Sequence, residues 1–381
     1  MAGGMFKRLH FFAVAVFFVT LIIEIGFLIG ATPSLLGALG DWSIVIYTLI
    51  PLPIGVELWG GAHLALTVVI IIVILLSFLW AMLRKDGGLL HALAARKRDV
   101  WAMGDLEAVG MALMGTLSVN FLFYYIVMLG GYNPVVPEFP ANTLQFTELL
   151  FFASVWEELV IKLSFISLPL LVVHVMFRSP FEWWRYVAGG KIQMKLLTVL
   201  LMIFSAAVFG WAHVAGGWDL AKFVPTFVAG LMSAFLFIRY GLHASILFHF
   251  ANNFLDAPYM LSNNEGVGTF MTIILLFFIA MGTIYWLMLA RSMSGFFKRI
   301  ASGQAEGPGA QAASARPAQQ APSIPTHPVA YARQARSYSC ESCGGYEFGY
   351  SKGTFTCLRC GKTVGEPPKP PDDGKKDVME L

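Results

Sequence analysis

The chain has 381 residues, of which 57% are hydrophobic and only 13% charged, with a formal net charge of +3. A soluble domain carries about 45–50% apolar and about 25% charged residues. The balance therefore excludes an ordinary soluble enzyme and points to a polytopic membrane protein with a polar appendage. No dense basic block marks a nucleic-acid surface, so the expected non-protein partner is membrane lipid, and nucleic acid is not expected.

In chain order, apolar runs long enough to cross hydrocarbon, roughly 17–25 residues, predict an all-α domain over residues 1–300. It would have about eight transmembrane helices, near 11–30, 62–83, 107–130, 147–177, 195–213, 219–240, 241–257 and 268–290. The fourth is over-long and contains Pro169, which predicts a kink or an added turn. Residues 42–57 are apolar but broken by Pro51 and Pro53. They read as a re-entrant or interfacial segment, with a ninth crossing as the alternative. Loop cations from Lys7 and Arg8 through Arg84, Arg178, Lys195 and Arg239 to Arg291 fall on one side, and only Lys222 falls on the other. The positive-inside rule then puts both termini in the cytoplasm.

Residues 301–337 are rich in Ala, Gln, Pro, Gly and Ser, and 365–381 are polar and Pro-rich. Neither composition can bury a core, so both read as disordered, a linker and a tail. Between them, at 338–364, Cys340-Glu-Ser-Cys343 and Cys357-Leu-Arg-Cys360 have the spacing of a four-thiolate zinc ribbon. Cys340, Cys343, Cys357 and Cys360 are its expected ligands. Residues 346–350 and 354–357 read as two short strands. A module this small needs its structural zinc in order to fold. It reads as a docking module for a protein partner, on the cytosolic side with the termini.

Ionisable residues inside hydrocarbon are costly and mark candidate sites. Glu158 and Lys162 on the fourth helix are i, i+4 and placed to pair. Glu157 points about 100° away, with no such partner. His213 ends the fifth helix, and His249 and Asn253 share a face of the seventh, which Ser245 extends by a turn. A carboxylate beside an imidazole can activate water. A second imidazole and an amide can hold an oxyanion. Glutamate and histidine can also ligate a divalent metal. The set reads as a hydrolytic site. A buried ion network that only stabilises a membrane scaffold, with the ribbon as docking module, is the other reading.

Glu-Glu-x-x-x-Lys at 157–162, Phe-x-x-x-His at 209–213 and His-x-x-x-Asn at 249–253 follow in order on membrane helices. The ordered triplet resembles the three motifs of the CPBP family, also called Abi, the CAAX proteases and bacteriocin-processing enzymes. Their best-known branch is the type II CAAX prenyl endopeptidase. The resemblance covers about 147–256 and implies an intramembrane endopeptidase acting on a membrane-associated protein or peptide, with prenylated substrates the best known. It implies that Glu157 and His213 activate water, that His249 and Asn253 bind the oxyanion, and that Glu158 and Lys162 support them. Members are labelled metalloproteases, which implies a divalent metal at Glu157, His213 and His249. A glutamate acting alone is the other form of the mechanism. The family pattern has Arg where this chain has Lys162, which keeps the charge but loses the planar fork that holds carboxylates bidentately.

Overall fold

In hydrocarbon every backbone N–H and C=O must find a partner within the chain, which leaves helices and closed barrels as spanning forms. The computed structural model takes the helical form. It describes residues 2–40, 42–48, 54–84, 104–135, 137, 140, 142–177, 183–301, 348–351, 354–357 and 362–364. The chain divides into two units, Met1–Gly303 and Gln304–Leu381.

The first unit runs α1 (Ala2–Ala38), α2 (Gly60–Leu83), α3 (Asp105–Leu129) and α4 (Thr143–Lys162), then a π-helical turn (Leu163–Ser167) and α5 (Leu168–Met176). It continues with α6 (Trp183–Ala188), α7 (Leu196–Ala215), a 3-10 turn (Leu220–Lys222), α8 (Phe223–Arg239), α9 (Leu242–Phe254), α10 (Ala257–Ser262) and α11 (Glu265–Ala301). Among the described residues seven helical segments are long and apolar enough to cross a membrane. The protein is an integral, multi-pass membrane protein. The fourth segment, Thr143–Met176, is the over-long one. Its expected irregularity is the π turn just before Pro169, whose missing N–H would break a regular α-helical ladder at this point.

Two expectations are corrected. The segment at 241–257 is not a full crossing. α9 has 13 residues, about 20 Å of helix, against roughly 30 Å of hydrocarbon. Asn252, Asn253 and Asp256 end the apolar run, and Pro258 starts α10. α9 instead packs at the centre, against α2, α3, α4 and α8, and every residue from Ala244 to Ala251 is buried. The segment at 42–57 is not a helical crossing. It forms an antiparallel hairpin of β1 (Ile44–Thr48) and β2 (Ile54–Leu58), in register from Ile44 opposite Leu58 to Thr48 opposite Ile54. Its β-branched residues favour the pleated form.

The hairpin is fastened along α4. The Trp156 indole donates to the Tyr47 carbonyl at 2.9 Å. At the other end buried Glu148 accepts from Trp42 Nε1 at 2.9 Å, His63 Nε2 at 2.7 Å and Thr67 Oγ1 at 2.7 Å. α3 and α11 approach so closely that a Cβ on Gly282 would overlap the Met114 carbonyl. The Ser118 and Thr283 hydroxyls pair across the same contact at 2.8 Å.

In the second unit β3 (Phe348–Ser351), β4 (Thr354–Cys357) and β5 (Thr363–Val364) form an antiparallel sheet in that order. β3 covers the described part of the first expected strand and adds Ser351, and residues 346 and 347 lie outside the described residues. Cys340, Cys343 and Cys360 lie outside the described residues, as do 302–337 and 365–381.

Candidate active site

Three elements bring the predicted residues together, and a fourth adds to them. α4 begins at Asn142, whose side chain accepts from the Leu144 and Gln145 N–H groups. More than four turns on, Glu158 faces the bundle interior, 1% exposed, with Lys162 fully buried one turn below. The last turn of α7 carries His213, α8 contributes Ser233, and α9 contributes Ser245, His249, Asn252 and Asn253. A cavity of about 50 Å³ lies between them, lined in part by Glu158, His213, Lys222, His249, Asn252 and Asn253. That is room for a few water molecules.

Glu158 is saturated. It accepts from His249 Nδ1 at 2.9 Å, from Ser233 Oγ at 2.5 Å and from the Ser245 hydroxyl, and the Lys162 ammonium lies 3.4 Å away. The ammonium also faces the Phe209 ring at 5.8 Å. Glu157 differs. Its side chain is 36% exposed, its nearest charged partner is His249 Nε2 at 3.8 Å, and its Oε2 has no hydrogen-bond donor. That spacing is too long for a hydrogen bond.

The imidazole protons follow from their partners, since a carbonyl or an ionised carboxylate can only accept. His213 Nδ1 lies 2.9 Å from the Phe209 carbonyl, so Nδ1 carries the proton and Nε2 is left as an acceptor. His249 Nδ1 donates to Glu158, which turns its Nε2 toward Glu157. Both rings pack edge-on against Phe209, at centroid distances of 4.8 and 5.7 Å. The charged neighbours of His213 are Glu157, Lys222 and His249. Asn253 reaches back to α4, with its amide 3.4 Å from the Leu150 carbonyl and 3.5 Å from Ser154 Oγ.

These contacts bring Glu158, Lys162, His249 and Asn253 into one cluster, with Glu157 and His213 at its rim. Helix lengths alone make this hard to see, because His249 is seven residues into α9 while Glu158 is 18 residues from the end of α5. The reconciliation is that α9 begins well inside the length spanned by α4 and α5. Gly241 makes that entry possible. Its φ of 118° is a glycine conformation, and a Cβ there would press on the Ala188 carbonyl at 3.1 Å. Below it, the buried Asp105 at the start of α3 accepts from His243 Nε2 at 2.8 Å and pairs with Arg84 at 3.3 Å.

Sequence reading missed Ser233, Asn252 and Lys222 as site residues. Thr226, Ala229 and Ser233 are spaced i, i+3, i+7 and all line the cavity, a face that its small residues leave without an apolar signal. Asp219, beside Lys222, is drawn away. Its carboxylate accepts from Tyr132 at 2.5 Å and from the Ala221 N–H at 2.8 Å, and these bonds hold it below the usual carboxylate range.

Residues 139–255 match the family model described as Rce1-like, the type II CAAX prenyl endopeptidase Rce1-like group. The matched stretch spans α4 to α9 and holds every residue of the cluster above. No curated protein and no solved structure matches the chain. The family match supports a CAAX-type membrane protease, a hydrolase of peptide bonds.

Proposed function

We propose that the chain is an intramembrane endopeptidase that hydrolyses a peptide bond of a membrane-associated protein with a glutamate-activated water. The observation that carries the proposal is the contrast between two adjacent carboxylates. Glu158 has its acceptor sites taken by two serines, an imidazole and an ammonium, so it has no basicity to offer. Glu157 stands at the rim, with an oxygen that no donor reaches, and is the base.

In this mechanism a water held between Glu157 and His213 Nε2 attacks the scissile carbonyl and its proton passes to Glu157. The oxyanion forms beside His249 Nε2–H, and the Asn253 amide joins it by turning from its long contacts with Leu150 and Ser154. Glu158 stabilises the positive charge on His249 through Nδ1. The proton on Glu157 then passes to the leaving amine, with His213 able to relay it. Lys162 keeps Glu158 ionised and Ser233 and Ser245 keep it oriented, so these three position His249 and do not touch the substrate.

A divalent metal would find acceptor atoms at His213 Nε2 and Glu157, and at His249 Nε2 once that nitrogen had given up its proton, and would supply a more acidic water. Among the described residues no three His, Cys, Asp or Glu side chains converge closely enough to hold one, and no step above passes through a metal. A prenylated substrate follows only from the description of the matched family, and is the first substrate to try.

The test compares membrane-proteome peptide termini in cells carrying wild-type protein or Glu157→Ala at equal abundance. Termini found only with wild type are expected, and they name the substrate. Identical sets would overturn the proposal and favour a membrane scaffold.

A further inference from the structure

Glu24, on α1, has no part in the reaction above. It is wholly buried, with buried Leu21 and Leu28 one turn to either side. Among the described residues it is the one carboxyl group with both oxygens buried and without a hydrogen-bond partner. The charged group that acts on it is a second acid, Asp256, at the corner between α9 and α10. No Lys, Arg or His among the described residues pairs with it. Asp256 is exposed, and no donor of the chain reaches its carboxylate. α9 ends two residues before it, and the C-terminal end of a helix adds negative potential of its own.

An ionisable group sealed in a membrane domain without a partner marks a site. A proton would cancel the charge of Glu24 but leave the O–H and C=O of the acid unpaired, at the cost of burying them so. A cation answers both needs, since it balances two carboxylates and takes their oxygens as ligands. Oxygen ligands of this kind suit a hard divalent ion. Two carboxylates are enough where water fills the other positions, the habit of Mg²⁺ above all. The pair is sealed at Glu24 and open at Asp256, which gives the ion a way in. We propose that Glu24 and Asp256 together bind a hard divalent cation, Mg²⁺ or Ca²⁺, that ties α1 to the α9–α10 corner. Asn253 lies three residues before Asp256, so the ion also steadies the end of the helix that carries this amide.

The experiment uses the purified full chain in detergent, desalted to remove loosely held ions. Its melting temperature is followed against MgCl₂ or CaCl₂ at constant ionic strength. Neither ion suits thiolates, so the cysteine pairs do not contribute. At least one of the two ions should raise the wild-type melting temperature saturably, by about 3 °C or more, and calorimetric titration should find a single site for it. The stronger response names the ion that the site takes. Glu24→Gln keeps the shape without the charge and should lose both the shift and the site. Asp256→Asn should lose them from the exposed end, and decides the matter where Glu24→Gln fails to fold. No shift and no binding with either ion would overturn the proposal. An equal shift in wild type and both variants would also overturn it, since the ion would then lie elsewhere. So would an ion-free Glu24→Gln protein that melts with the ion-saturated wild type, because Glu24 would then be a neutral acid.

Discussion

Glu157 and Glu158 are neighbours in sequence, and one helical step separates a partly exposed base from a sealed anion. The spacing showed part of this. Glu158 and Lys162 fall on one face, and the ion pair at 3.4 Å is there. What the spacing could not show is that Ser233 and Ser245 complete the shell from two other helices, because a serine on a membrane helix has no periodic signature. Lys162 is wholly buried, and its Nζ has no hydrogen-bond acceptor in good geometry beyond this pairing. An arginine fork would use such a site more fully. Lys162→Met should therefore leave Glu158 uncompensated and destabilise the protein by about 3 kcal/mol or more. Adding Glu158→Gln should recover much of that stability but not peptide cleavage. Lys162→Arg should retain both. Thermal melts and cleavage rates in the same detergent check the set, and a stable Lys162→Met single variant would refute the assignment.

Among the elements, the long helices were readable because continuous apolar runs have one meaning in a membrane, and the π turn was foreshadowed by Pro169. The hairpin was not, although Ile44, Val45, Ile46, Thr48, Ile54 and Val56 are the residues that strands favour. Their unbroken hydrophobicity hid the signal. α9 was read as a crossing because its ends were placed by apolarity, whereas Gly241 and the Asn252–Asp256 stretch set them. The depth of His249 thus depends on a single backbone conformation. Gly241→Ala should cost about 1–3 kcal/mol from strain, with the Ala188 carbonyl resisting relief. It should also lower kcat more than it raises KM, because the catalytic imidazole moves while the outer cavity stays. Unchanged kcat in a variant with a lowered melting temperature would detach α9 entry from catalysis.

The whole chain separates chemistry from its appendage. Every group in the proposed reaction lies within Met1–Gly303, and the cysteine pairs lie in the other unit. In that second unit β3 and β4 pair from Phe348 opposite Cys357 to Ser351 opposite Thr354. Three strands of two to four residues each bury too little apolar surface to stand alone, so such a sheet calls for a metal or an equivalent staple. We therefore expect the purified full-length protein to hold about one zinc per chain, as in a closed four-thiolate site. Cys340→Ser should remove it, since one missing thiolate opens the tetrahedron and binding energy is folding energy in such modules. Cleavage of a small peptide should be unchanged in that variant, because the substitution touches none of the groups around Glu157. Zinc content by elemental analysis, read beside the peptide rate, separates the possibilities. A protein that loses zinc and activity together would place a functional metal within the reaction or tie the second unit to the catalytic one. Loss of zinc alone would leave hydrolysis to the carboxylate and imidazoles of the membrane domain.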